Sequence, residues 1–381
     1  MSTQRMIKAA PSGLLLTVAA LFTIGLALHF VARDANTSQA PLDDSQIRKE
    51  LASYLDNLAA NDQFSGVVLV AKNGEPPFKK AHGVANKSRN EPNNTETKFN
   101  LGSLDKMFTA VAVAQLAREG KLQFSDTVGK HLPNYPNRDV SARVTIHQLL
   151  THTSGMGDYL DSPRFGELRN TLTSVNAHLP LFVNEPLSFE PGARFQYSNA
   201  GYVVLGAIIE RASGKSYFDY VRENIFKPAG MMNTGAYELG QNIPNLAIGY
   251  AGSDNGGTRK DNAPFLPAKG SPAGGGYSTV EDLLRFERAL RGYKLLNEQY
   301  TSTLLSGKVV APFGANIKYA YGFGDQLVNN HRIVGHSGGH PGVSAMFQMY
   351  MGKGYTVIVL SNYDGAAQMV GRRLREMIAG G

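Results

Sequence analysis

The chain has 381 residues, enough for a large core, and its 42% hydrophobic and 18% charged residues describe a globular protein rather than a disordered or coiled-coil one. It contains no cysteine, which removes disulfides, thiolate metal sites, iron–sulfur clusters and a cysteine nucleophile together. The formal charge of +7 is scattered, with no Lys/Arg stripe and no nucleic-acid motif, so a nucleic acid is not an expected partner.

Residues 13–30 carry no formal charge and follow Arg5 and Lys8. A segment this apolar all round is expected in a membrane, with the basic flank cytoplasmic and the remainder exported. Small-x-small cleavage sites are imperfect here, because Phe30 or Arg33 stands two before Ala32 or Ala35 and Pro41 follows Ala40. An uncleaved anchor is therefore favoured over a cleaved signal peptide, with 1–40 as anchor and tether and 41–381 as a periplasmic or other extracytoplasmic domain.

Ile47, Leu51, Tyr54, Leu55 and Leu58 fall at helical spacing and predict an amphipathic helix lying on a sheet. The β-branched run 66–71, bounded by Asn73-Gly74, pairs with 78–84 as a predicted hairpin. Residues 343–350 and 355–360 predict a second hairpin around Met351-Gly-Lys-Gly354, and a closing helix over about 366–378 should bury Met369, Leu374 and Met377. The middle, roughly 104–290, reads as helices and long Pro/Gly/Asn loops. The expected architecture is α+β: an antiparallel sheet built from both chain ends, flanked by terminal helices, with a mostly helical subdomain inserted. No internal repeat or low-complexity tract interrupts this plan.

Three motifs carry the chemistry. In Ser103-Leu-Asp-Lys106 the serine stands at a helix start, and the helix over 104–119 is apolar around its circumference, ending at Gly120. It must be buried, and Lys106 is drawn inside with it. A desolvated lysine loses its proton more easily and can take one from a serine one turn away, while the helix amino terminus favours the developing oxyanion. Taken alone, this pattern is equally a helix cap beside a snorkelling lysine.

In Tyr197-Ser-Asn199 the two outer side chains precede an apolar helix and can face one cleft. A phenolate beside an ammonium can act as base, and Asn199 can bind an acyl amide or orient the lysine; the plain alternative is a helix-capping Asn. In His336-Ser-Gly338-Gly339 a strand ends in small residues, against which a substrate backbone can lie and from which a main-chain N–H can serve an oxyanion. Ser278 and Glu281 predict a capping box on the helix that follows Gly274–Gly276, which excludes a phosphate loop there.

In this order the three motifs resemble the penicillin-recognising serine hydrolases, closest to the class C β-lactamase-related group and the family VIII esterases. Segments 149–155, 226–231 and 275–279 resemble that group's connecting segments, and the resemblance runs from about 47 to 378. It implies a β-lactamase/transpeptidase-like fold and an acyl-enzyme on Ser103, with Lys106 as activating lysine and Tyr197 as base. Asn199, His336, Gly338 and Gly339 would form the substrate and oxyanion site, with Ser103 and Gly339 supplying the two N–H groups. No metal or organic cofactor is implied. His336 stands where class C β-lactamases have lysine, so a fixed cation for a β-lactam carboxylate is missing. The resulting expectation is an esterase acting on small acyl esters. The alternatives are a D,D-carboxypeptidase or D-aminopeptidase on envelope peptides, a β-lactamase, or a non-catalytic membrane-tethered sensor.

Gly335-His-Ser-Gly-Gly339 also fits a nucleophile elbow at Ser337, but an elbow needs a following helix, and Pro341-Gly342 and two strand-like runs follow instead. His336 and His340 have ligand spacing without an acid or a helix to support a metal site. His152 reads as a buried turn residue, and loops 158–180 and 242–272 are expected to wall the cleft and set substrate choice.

Overall fold

Period-two alternation sets the layers of this molecule. The computed structural model describes residues 41–252, 258–314 and 316–380. The segment 13–30 and the tether after it lie outside those residues. Among the described residues no helix is long and apolar enough to cross a membrane.

Helix α1 (Asp44–Ala60) opens with a capping box: the Asp43 carboxylate accepts from the Ser45 and Gln46 nitrogens, and the Gln46 side chain accepts from Asp43 N. Its buried residues are Ile47, Leu51, Leu55 and Leu58; Tyr54, expected on that face, is turned roughly 100° from Leu55 and is half-buried.

The strands of the main sheet are β1 (Gly66–Lys72), β2 (Glu75–His82), β3 (Val309–Val310), β4 (Ile317–Tyr319), β5 (Gly324–Val328), β6 (His331–His340), β7 (Val343–Tyr350) and β8 (Tyr355–Ser361). They pair antiparallel in the order β3-β4-β5-β6-β7-β8-β1-β2. β1 pairs with β8 from Gly66↔Ser361 to Lys72↔Tyr355, so strands from early and late in the chain lie side by side in one sheet, with β2 at its edge.

Helices α2 (Asp105–Arg118), α3 (Asn199–Ser213) and α4 (Val280–Arg291) come from the long connection between β2 and β3, and α5 (Ala366–Ala379) closes the chain. Val67 and Leu69 of β1, Phe347 of β7 and Ile358 of β8 join the core containing α2, α3 and α4. Their neighbours Val68, Val70, Met346 and Val359 join the core containing α1 and α5. Burial on both faces explains why β1 and β8 read as continuous apolar runs rather than alternating ones.

Two expectations shift. Met369 lies at the edge of the α5 stripe formed by Val370, Leu374 and Met377, and is only partly buried. The cap of α4 is Thr279, whose hydroxyl accepts from Asp282 N, while Ser278 stays in a short strand (Gly276–Ser278) that pairs with Phe99–Asn100. That pairing anchors the strand that leads into the turn carrying Ser103.

Candidate active site

The turn before α2 is held from three sides. Asn100 Oδ1 accepts from Gly102 N at 2.9 Å, Leu101 N donates to Gly276 O, and Gly102 adopts φ +50°. Residues Gly102–Leu104 form a 3₁₀ turn, so the α-helix begins at Asp105, one residue later than expected. The turn packs against β6 at glycines. A Cβ on Gly102 would lie 2.8 Å from Gly339 N, and one on Gly338 would lie 2.0 Å from Leu101 O and 3.0 Å from Ser103 N. Strand β5 pairs with β6 only as far as Gly335, which leaves the edge at 336–340 open to this turn. The peptide nitrogens of Ser103 and Gly339 thus border one narrow gap.

Lys106 is fully buried, and as an ammonium its Nζ donates to Ser103 Oγ at 3.2 Å, Asn199 Oδ1 at 2.6 Å and Ala273 O at 2.5 Å. Burial lowers its pKa to about 7, with Asp158 and Asp105 opposing the fall. Ala273 belongs to the Ser271–Gly276 loop, which hangs on α2 through Thr109 Oγ1 to Pro272 O (2.7 Å) and Gly276 N to the Asp105 carboxylate. Sequence reasoning excluded a phosphate loop here and did not see that the segment supplies an acceptor for the lysine.

Asn199 is the first residue of α3, and the cap is Ser198, whose Oγ accepts from Gly201 N. The capping alternative for Asn199 therefore falls, and its side chain is free to bridge: Oδ1 faces Lys106 and Nδ2 donates to Asp158 Oδ2 at 2.6 Å. Asp158 entered the sequence argument only as the start of a cleft loop. Its acidic type within a Gly-Asp-Tyr turn was the available signal.

Tyr197 is tucked behind the serine. Lys106 Nζ lies 4.8 Å from its ring centroid, and His152 stacks on it at 4.2 Å and 31°. Burial holds its pKa well above the ordinary phenol value, with Ser103 the neighbour opposing the rise, and its hydroxyl has no partner in hydrogen-bond geometry. A resting phenolate at Tyr197 is therefore disfavoured. His152 is the buried turn residue expected, at φ +58°, and it also braces Tyr197.

His336 is brought to the cleft wall without a free ring nitrogen. Ser198 N donates to His152 Nδ1 at 3.1 Å, which puts the His152 proton on Nε2, facing Tyr319 Oη at 3.1 Å. Tyr319 then donates to His336 Nε2 at 2.9 Å, and His336 carries its proton on Nδ1, toward Ser337 O at 2.6 Å. These tautomers are assigned from the partners. Burial first, then Lys106, lowers the His336 pKa to about 3, so it is neutral. His336, expected in the substrate site, lines the cleft, and both of its ring nitrogens are engaged within the protein. Gly335–Gly339 lies inside continuous β6, whose pairing with β7 runs through Gly339↔Ser344, so no elbow forms at Ser337. Among the described residues no group of three His, Asp or Glu side chains is placed to hold a metal ion.

The cleft over Ser103 has a volume of about 1690 Å³. Leu160 and Phe165, and Phe265, Leu266 and Pro267, line it from the two loops expected to wall it, and Phe182 joins them from just beyond the first loop. Phe313, Ile317 and Tyr319 add a third wall that was not anticipated.

Residues 51–380 match the family model described as Beta-lactamase. The chain is 35% identical over 335 residues to Penicillin-binding protein 4* of Bacillus subtilis (strain 168), covering 83% of this chain and 72% of that protein. The crystal structure of a penicillin binding protein from Bacillus halodurans aligns with a TM-score of 0.78 and 34% identity, over 85% of this chain and 99% of that one. A D-stereospecific amidohydrolase from Streptomyces sp. aligns with a TM-score of 0.73 and 25% identity, over 88% and 98%.

Proposed function

The chain belongs to the beta-lactamase family and is a serine hydrolase of that fold, and from this premise we propose that Ser103 is its nucleophile and small acyl esters its substrates. The observation that carries the reading is the 3.2 Å contact between Ser103 Oγ and Nζ of the fully buried Lys106, where burial lowers the pKa of the lysine.

In acylation, Ser103 Oγ bonds to the acyl carbon as its proton passes to Lys106 Nζ. The carbonyl oxygen becomes an oxyanion facing the Ser103 and Gly339 N–H groups. Collapse breaks the bond to the leaving alkoxide, which takes the proton from Lys106. A water then bonds to the acyl carbon as its proton passes to Lys106, and collapse breaks the acyl–Oγ bond while Lys106 returns that proton to Ser103 Oγ, releasing the acid and the free serine.

Esters are favoured over β-lactams because the position of His336 offers neither charge nor a free donor to a carboxylate, and because the cleft walls are largely apolar. Turnover of p-nitrophenyl butyrate by residues 41–381 tests this. Loss of turnover in a folded Ser103→Ala variant is the expected result; retained turnover overturns the choice of nucleophile.

The similarity to a D-stereospecific amidohydrolase and to penicillin-binding proteins supports a second reading, a D,D-carboxypeptidase or D-aminopeptidase, which release of a D-amino acid would reveal. We also propose an exported domain tethered by residues 13–30, on the basis of that segment's charge-free composition. Carbonate extraction of membranes releasing the full-length chain would refute the tether.

A further inference from the structure

Asn199 can lie in its pocket two ways, and only one serves the chemistry. A neutral lysine has two N–H donors and one lone pair. Asn199 Oδ1 and Ala273 O are acceptors only, so they take both N–H groups of neutral Lys106. The lone pair is then left for the third neighbour, Ser103 Oγ. Were the amide of Asn199 reversed, its NH₂ would face Lys106 and claim the lone pair, turning an N–H of lysine toward the serine. Proton abstraction would stop.

The amide orientation is decided on its far side. Asp158 Oδ1 accepts from Leu160 N at 3.0 Å, and Oδ2 accepts from Asn199 Nδ2 at 2.6 Å and Asn199 N at 3.4 Å. Burial, and secondarily Asp161, raises the Asp158 pKa, while the Leu160 N–H, Lys106 and the Asn199 amide oppose the rise and favour the ionised form. As a carboxylate it only accepts, so it forces Nδ2 outward and Oδ1 onto the lysine. We propose that Asp158 is a positioning residue that, by fixing the amide of Asn199, aims the lone pair of neutral Lys106 at the Ser103 hydroxyl. This rests on Ser103 and Lys106 being the nucleophile and base proposed above.

Asp158 also faces Lys106 as a charge. The other titratable neighbours of the lysine are Asp105 on its own helix, Tyr197 and Tyr202 against its ammonium, and the buried neutral His152 and His336. Of these, Asp158 leads in raising the lysine pKa.

The substitution Asp158→Asn presents a conflict in either pose. If its oxygen stays on Leu160 N, its NH₂ meets Asn199 and flips that amide; if it is reversed, NH₂ meets the Leu160 N–H. The test uses fluorophosphonate labelling of Ser103, in which an Oγ–P bond forms, fluoride leaves and the serine proton goes to Lys106. It needs no knowledge of the natural acyl group. Asp158→Asn should label on the order of 10²-fold more slowly on the high-pH plateau. The acid limb of its rate–pH profile should move to lower pH by about one unit, since a stabilising charge on the ammonium is gone. In a double-mutant cycle read on that plateau, Asp158→Asn should cost nothing further once Asn199→Ala is present.

Additive losses, or a slower rate with an unmoved acid limb, would mean a merely structural Asp158 and overturn the proposal. Equal labelling of wild type and Ser103→Ala would instead overturn the nucleophile itself. If Asp158→Asn does not melt cooperatively, Asp158→Ser replaces it, because its hydroxyl can still accept from Leu160 N.

Discussion

Lys106 makes the clearest residue-level prediction. It must be neutral to take the serine proton, so kcat/KM should fall as pH drops through its folded pKa of about 7. Lys106→Arg keeps the charge and much of the volume but cannot shed a proton, and should lose about 10²–10⁴-fold in kcat while the protein still melts cooperatively. His336 is already neutral down to about 3, so it should contribute no limb in this range. His336→Asn is expected to leave the acid midpoint of the rate–pH profile where it is, even if the rate changes; a shifted midpoint would show that the histidine carries charge in the working enzyme.

At the scale of elements, the site depends on how closely α3 approaches the Ser271–Gly276 loop. A Cβ on Gly206 would sit 2.2 Å from Pro272 Cγ, and a proline ring has little freedom to yield. Pro272 and Ala273 carry the carbonyls that bond Thr109 and Lys106. Gly206→Ala should therefore displace an acceptor of Lys106 from a distance, destabilising the protein by about 1–3 kcal/mol and, with Lys106 as the proposed base, lowering kcat by roughly 10-fold or more. Thermal melting together with turnover checks this; unchanged kcat would mean that the loop moves without the lysine.

Across the whole molecule, the sheet separates two cores with different duties. Ser103, Lys106 and Asn199 belong to elements packed on the face that carries α2 and α3, whereas α1 and α5 cover the other. Leu55, fully buried on α1, should cost about 2–5 kcal/mol when cut to alanine while kcat per folded molecule stays at the wild-type value. A fall in kcat that outlasts correction for the unfolded fraction would show that the far core sets the geometry of the cleft.

Local chemistry made much of this legible in the amino-acid order. Residues 66–71 form a strand because a short β-branched run ends at Asn73-Gly74, and α2 is buried because its sequence offers no polar face; both follow from spacing. The motifs at Ser103, Tyr197 and His336 stood out as residue types suited to acyl transfer. Which groups surround Lys106 was decided only by the tertiary fold, since Asp158, Asn199 and Ala273 come from loops and a helix far apart in sequence. The same holds for His336, whose ring was free on paper and is engaged by Tyr319 and Ser337 once β4 and β6 are placed. Periodicity and propensity are properties of neighbours along the chain and can be read there. A hydrogen-bond partner or a desolvated charge depends on which distant segments the core brings together, and these contacts set the lysine's pKa, the amide's orientation and the histidine's tautomer.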